Sequence, residues 1–91
     1  MRASSVFLVL DLPLPRHKSQ HPLRELGRVI SYGDQVEGYP GYTWVELDTT
    51  LELREVLPQL YKTLPSCRVA SCRAIHPGEG KVQARQLPLL G

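Results

Sequence analysis

Residues 6–12 form a nearly continuous apolar run, Val6-Phe7-Leu8-Val9-Leu10-Asp11-Leu12, rich in branched side chains. A run of this kind reads as a central strand buried on both faces, because a half-exposed strand would alternate apolar with polar residues. Asp11 interrupts it near its end, and Pro13 stops ladder pairing. The run is far shorter than the ~20 apolar residues of a membrane span. It ends in an acid and prolines and not in a small-residue cleavage site, so it is read neither as an anchor nor as a signal peptide. The remainder of the chain must supply neighbours for this strand and cover for its sheet. With 91 residues there is room for one domain, residues 1–91, and none for a second core.

After the strand comes a basic, proline-stiffened loop over residues 13–22, with Pro13, Pro15, His17, Lys18, His21 and Pro22. Pro22 suits a first helical position, where its missing N–H costs nothing. Leu23, Leu26 and Ile30 then give a short helical stripe that Gly27 can end. From Val29 to Tyr39 the texture is that of a strand, Pro40-Gly41 is a turn, and residues 42–47, Tyr-Thr-Trp-Val-Glu-Leu, are dense in β-formers. These read together as an antiparallel hairpin. Thr49 and Glu52 have capping-box spacing, and Leu53, Val56 or Leu57, Leu60 and Leu64 form a helical stripe. Pro58 inside that stripe predicts a kink or a break, and Pro65 ends the helix. Residues 67–75 read as a fourth strand, 77–80 as a turn, and Lys81-Val82-Gln83-Ala84-Arg85 as a fifth, edge strand by its alternation.

The resulting order is β-α-β-β-α-β-β. Its first six elements follow the split βαβ plan, so the expected class is an α+β, ferredoxin-like βαββαβ sandwich with an extra C-terminal edge strand. Two helices would cover one sheet face. The other would be bare unless a partner or the apolar tail covers it. A chain this small has a thin stability margin, so a homodimer that buries a sheet face or edge is the expected assembly. The composition, 42% apolar and 22% charged, is that of a folded chain and argues against disorder. Only two cysteines occur, Cys67 and Cys72, fewer than a small secreted domain usually carries, which points to the cytoplasm.

The net charge of +2 is unevenly distributed. Residues 1–33, 34–55 and 56–91 carry +3, −5 and +4 respectively. Basic ends around an acidic middle suit steering of a phosphate backbone or an acidic partner, and equally suit an ordinary solvated surface. The candidate phosphate contacts are Arg16, Lys18, Arg24 and Arg28, with His17 and His21 among them and Arg73 as a fifth cation. Arg68, Lys81 and Arg85 join them if they face the same way. Such contacts bind without reading sequence.

Asp11 is the candidate catalytic and metal residue. A carboxylate at the end of a central strand can hold a divalent cation such as Mg2+ or Mn2+, and a two-fold dimer would supply a second one. The plainer reading is that it accepts backbone N–H bonds in the proline loop. A zinc site from His17, His21, Cys67 and Cys72 is disfavoured, because residues five apart on an unbroken strand face opposite ways. Tyr32, Tyr39, Tyr42 and Trp44 gather around the hairpin, where they would either stack on bases or pair across strands.

The chain resembles the small subunit of the CRISPR adaptation complex and its relative, virulence-associated protein D. The resemblance lies in the opening Val6-Phe7-Leu8-Val9-Leu10-Asp11, the Tyr32-Gly33 pair, Val45-Glu46-Leu47 before the second helix, Cys67-Arg68-Val69, and a short C-terminal strand. It implies a homodimer that bridges integrase subunits and binds duplex DNA through its backbone. In some members it implies a metal-dependent nuclease or phosphodiesterase using the strand-end aspartate, here Asp11. The arginine that members place soon after that aspartate has only Arg16 as its counterpart. The first helix is shorter, and its preceding loop richer in proline, than the family pattern.

Two other functions are compatible with the residues. One is a non-catalytic phage or bacterial adaptor or inhibitor that docks through its hairpin or its tail. Within that tail Gln86, Leu87, Leu89 and Leu90 look like the peptide that binds the bacterial sliding clamp. The other is a small-molecule sensor using an open sheet face.

Overall fold

The computed structural model describes residues 5–86. Four strands, β1 (Ser5–Leu10), β2 (Arg28–Gly33), β3 (Thr43–Asp48) and β4 (Val69–Ile75), form one sheet in the order β2-β3-β1-β4. Every neighbouring pair is antiparallel. Two helices, α1 (Leu53–Thr63) and α2 (Gly80–Gln86), complete an α+β domain. β1 lies between β3 and β4, and all six of its residues are buried, as its unbroken apolar run requires.

The sheet is covered on both faces. Val6, Leu8 and Leu10 point to one side, where they pack with Val29, Val45 and Leu47 beneath Val56 and Leu60 of α1. Phe7 and Val9 point to the other, with Val36, Trp44, Ile75 and Ala84 of α2. Phe7 and Trp44 stack there with ring centres 6.1 Å apart. Each of these fully buried large side chains contributes roughly 1.5–3 kcal/mol. The face expected to be bare is therefore covered by this chain's own α2 and by the 34–42 loop.

Residues 81–85 form no edge strand. They lie in α2, and Ala84 is 1% exposed against the second face. Five residues cannot separate a two-residue period from a helical one, and most of Lys81-Val82-Gln83-Ala84-Arg85 are good helix formers. What selects the helix is outside it. Glu46, fully buried on β3, accepts the Gly78 N–H at 2.7 Å and the Gly80 N–H at 3.0 Å. A Cβ on Gly80 would stand 2.8 Å from the Trp44 ring and 2.9 Å from Glu46 Oε1, so only glycine lets the chain enter here.

Three other features depart from expectation. The first helix is two 3-10 turns, Lys18–Gln20 and Pro22–Glu25, because the proline-rich loop and Gly27 leave too few residues for an α-helix. The capping box of α1 is Glu52 with Glu55, whose side chain accepts the Glu52 N–H at 2.9 Å. Thr49 is engaged elsewhere, donating to the Leu26 carbonyl and accepting from the Leu51 N–H at 3.1 Å. Pro58 does not divide α1, which runs without a break from Leu53 to Thr63 around one missing hydrogen bond.

A bulge resets β4. Its register against β1 shifts between Val9 and Leu10, so Val69 pairs with Leu10 while Ser71 pairs with Val9. Cys67, which precedes β4, and Cys72 pack against the same core cluster although they are five positions apart.

Candidate functional site

The cations singled out in the sequence divide into groups. Lys18, Arg24 and Arg28 meet around one depression of about 470 Å3, with Ser19, Gly27 and Val29 between them. Buried groups fix this wall. Leu23 is 1% exposed in the core, and His21 is 2% exposed and seated edge-on against Tyr32 at 5.7 Å. His21 Nδ1 accepts the Leu23 N–H at 3.1 Å, so the neutral ring carries its proton on Nε2. Burial lowers the His21 pKa below the usual histidine value.

The floor of the depression depends on Gly27. A Cβ there would lie 2.5 Å from the Asp48 carbonyl oxygen and 2.8 Å from Thr49 Cβ. Gly27 therefore serves a close approach of the chain to the end of β3, a role its reading as a helix stop did not contain. Around this floor the charges face water. Arg24 donates to the Ser19 carbonyl, and Arg28 stands 3.8 Å from Asp48 with its side chain 77% exposed. An exposed pair of this length adds little stability and leaves the guanidinium available.

Arg16 is exposed in the proline loop and does not line the depression. Arg73 belongs to the opposite face. Its guanidinium lies 5.6 Å from the Phe7 ring centre and donates to Gln83 of α2, while its Nε is buried without a partner among the described residues. Gln86 ends α2, and Leu87, Leu89 and Leu90 of the clamp-like peptide lie outside the described residues.

Asp11 closes β1 in an exposed position, and its backbone N–H donates to the Arg68 carbonyl at 2.8 Å. It neighbours Cys67. Burial pushes the Cys67 thiol up, the Asp11 amide acts against that rise, and the Asp11 carboxylate adds to it. Burial also raises Cys72. Both cysteines are thus thiols and not thiolates at neutral pH, which makes them poor nucleophiles. Among the described residues no group of three or more His, Cys, Asp and Glu could hold a metal. One copy offers Mg2+ or Mn2+ a lone hard oxygen ligand beside a sulfur these ions do not favour, and no cleavage step follows from that arrangement.

The register also separates Asp11 from the basic depression. Leu10 pairs with Thr43 and Arg28 pairs with Asp48, at opposite ends of β3. Five residues of strand span about 17 Å, so the carboxylate and the cation cluster form no single site within one copy. The aromatic residues divide as well. Tyr32 packs toward α1, Trp44 toward α2, and Tyr39 pairs with Tyr42 in the loop at 5.9 Å.

A second, larger depression lies at the far end of β2, and Tyr32, Tyr39 and Trp44 of the aromatic group named from the sequence help to line it. It is an open depression of about 890 Å3 between the 34–40 loop and α2. Asp34 and Glu37 stand on the loop wall, Lys81 and Arg85 on the helix wall, and Trp44 and Tyr39 also line it. The cationic wall was hidden by reading 81–85 as a strand. The acidic wall was visible only as part of the −5 middle of the chain.

No protein-family model matches the chain, and no curated protein or solved structure matches it. No helix among the described residues is long and apolar enough to cross a membrane.

Proposed function

We propose that this chain is a ferredoxin-like, nucleic-acid-associated protein that holds a phosphate backbone at Lys18, Arg24 and Arg28. The fold part of this reading is supported by the strand order β2-β3-β1-β4 with all pairs antiparallel, the arrangement expected of the split βαβ plan. Its departures are the 3-10 turns in the first helix position and α2 on the second face. The functional part is carried by one observation. Three of the five cations named from the sequence converge on one concave, water-facing surface whose backbone is fixed by buried neighbours.

Exposed cations around a shallow depression suit phosphate groups that stay partly hydrated, and they carry no base-reading geometry. Backbone binding without sequence preference is also what the adaptation-subunit resemblance implies. In that narrower form a second copy would bring its own depression, and Asp11 would act only with its counterpart in that copy.

The test is fluorescence anisotropy of a labelled duplex titrated at several salt concentrations. Three phosphate contacts give a log–log salt slope of about −2.7, a loss of about 40-fold between 50 and 200 mM salt. Lys18→Gln, Arg24→Gln and Arg28→Gln should each reduce the slope by about 0.9, while Arg73→Gln and Asp11→Asn leave it unchanged. A slope near zero, or one that survives all three substitutions together, removes the proposal.

A further inference from the structure

We infer that the cleft between the 34–40 loop and α2 binds a short zwitterionic peptide, its ammonium end at Asp34 and Glu37 and its carboxylate end at Lys81 and Arg85. The site is independent of the phosphate-binding reading, since it lies at the Gly33 end of β2 and the basic depression at the Arg28 end. Its volume of about 890 Å3 has room for a short peptide that stays partly exposed to solvent.

The walls have opposite signs, and all four charged side chains are exposed. No ion pair joins them among the described residues, where the ion pair seen is Arg28 with Asp48. The two walls are tied to each other by a backbone hydrogen bond, and the cleft stays open beside it. The Glu37 N–H donates to the Ala84 carbonyl at 3.3 Å, and successive turns close from Tyr39 N–H to Val36 and from Tyr42 N–H to Tyr39. On the other side Glu46 anchors the start of α2 through the Gly78 and Gly80 amides. A cleft framed this way is preformed, which lowers the ordering cost of binding.

Its floor is apolar. The Trp44 indole lies against Gly33, where an added Cβ would meet Nε1 at 2.5 Å, and Tyr39 flanks it. An apolar floor between opposite charges selects a ligand with an apolar body and opposite charges at its two ends. A phosphate compound meets repulsion from Asp34 and Glu37, and a simple cation meets it from Lys81 and Arg85. A free amino acid carries both charges on one carbon, whereas the cleft places its opposite charges on two separate elements. A peptide separates its termini by up to about 3.5 Å per residue. Ser31 and Gly33 of the edge strand β2 also line the cleft, and main-chain groups on such an edge can pair with a peptide backbone.

Trp44 is the only tryptophan in the sequence, so its emission reports this cleft directly. Trileucine, which does not fluoresce, is titrated into the full chain alongside its N-acetylated and C-amidated forms. The expected result is a saturable change in Trp44 emission with trileucine, and binding weaker by on the order of tenfold for each blocked form. Lys81→Gln with Arg85→Gln should abolish the preference for the free carboxylate, and Asp34→Asn with Glu37→Gln the preference for the free ammonium. No saturable change up to about 10 mM overturns the inference. So does equal binding of all three peptides, which would make the cleft merely apolar. Displacement of trileucine by duplex DNA through Lys81 and Arg85 would also overturn it, assigning the cleft to nucleic acid.

Discussion

Glu46→Ala should detach α2 from the sheet. Glu46 is fully buried on the second face, and its two carboxylate oxygens accept the Gly78 N–H at 2.7 Å and the Gly80 N–H at 3.0 Å. A hydrogen bond to a charged acceptor contributes about 1.5–3 kcal/mol, so removing both costs up to about 6 kcal/mol. Relief of burying the carboxylate offsets part of that loss, and a net destabilisation of about 3 kcal/mol remains. For a chain of this size total stability is about 5–14 kcal/mol, and 3 kcal/mol corresponds to a fall in Tm of about 12–24 °C. Glu46→Gln retains one acceptor and turns an N–H toward a donor, so it should fall between the parent and the alanine variant. Urea unfolding followed by far-UV circular dichroism gives the free energies. Trp44 emission, read in parallel, reports whether the second face opens before the sheet melts. Both variants within about 1 kcal/mol of the parent would refute the view that this carboxylate selects helix over strand for residues 80–86.

Lowered by burial, the His21 pKa makes stability depend on pH: below the ordinary value near 6.5 the unfolded chain binds a proton that the folded chain resists, so stability falls as pH falls, by at most about 1.4 kcal/mol per pH unit. His21→Asn, which still accepts the Leu23 N–H and does not titrate, should flatten the difference in Tm between pH 7.5 and pH 5; an unchanged difference would assign it to other groups. Gly27→Ala should cost about 1–3 kcal/mol in thermal or urea unfolding, because the atoms it meets are the Asp48 carbonyl and Thr49 Cα and Cβ, and backbone yields less easily than a side-chain tip. A loss below about 0.5 kcal/mol would show that the approach relaxes freely.

The sheet was legible in the sequence to the extent that its strands carry unambiguous patterns. The run from Val6 to Leu10 required a central position and occupies one, and Thr43 to Asp48 is a strand where aromatic and branched residues are densest. Illegible features were those decided by contacts distant in sequence. Glu46 looks like a polar residue in an alternating strand, and only the amides of Gly78 and Gly80, more than thirty positions later, give it its role. Thr49 has the spacing of a helix cap but is claimed by Leu26. The alternation in 81–85 is genuine, and the tertiary anchor overrides it. For the candidate sites, the basic loop could be named from composition, whereas its separation from Asp11 depends on strand register, which composition does not encode.

Covering the second face changes how a second copy could associate. The expected homodimer would bury a sheet face or an edge, and α2 with Val36 and Trp44 covers the face. Pairing through the sheet would then use an edge, β2 or β4. The β2 edge is bounded by the basic depression at Arg28 and the charged cleft at Gly33, so a strand laid along it would cover part of both. The β4 edge lacks those sites but carries the bulge beside Ala70, and a bulge twists an edge away from flat pairing. Surfaces that would keep both depressions open include the lower part of β4, from Ser71 to Ile75, and the exposed side of α1 around Leu53 and Tyr61. Either arrangement is distinguishable in solution. A β4 contact would protect the amides of residues 71–75 from hydrogen exchange as concentration rises, and an α1 contact would instead respond to Leu53→Glu and Tyr61→Glu by dissociating.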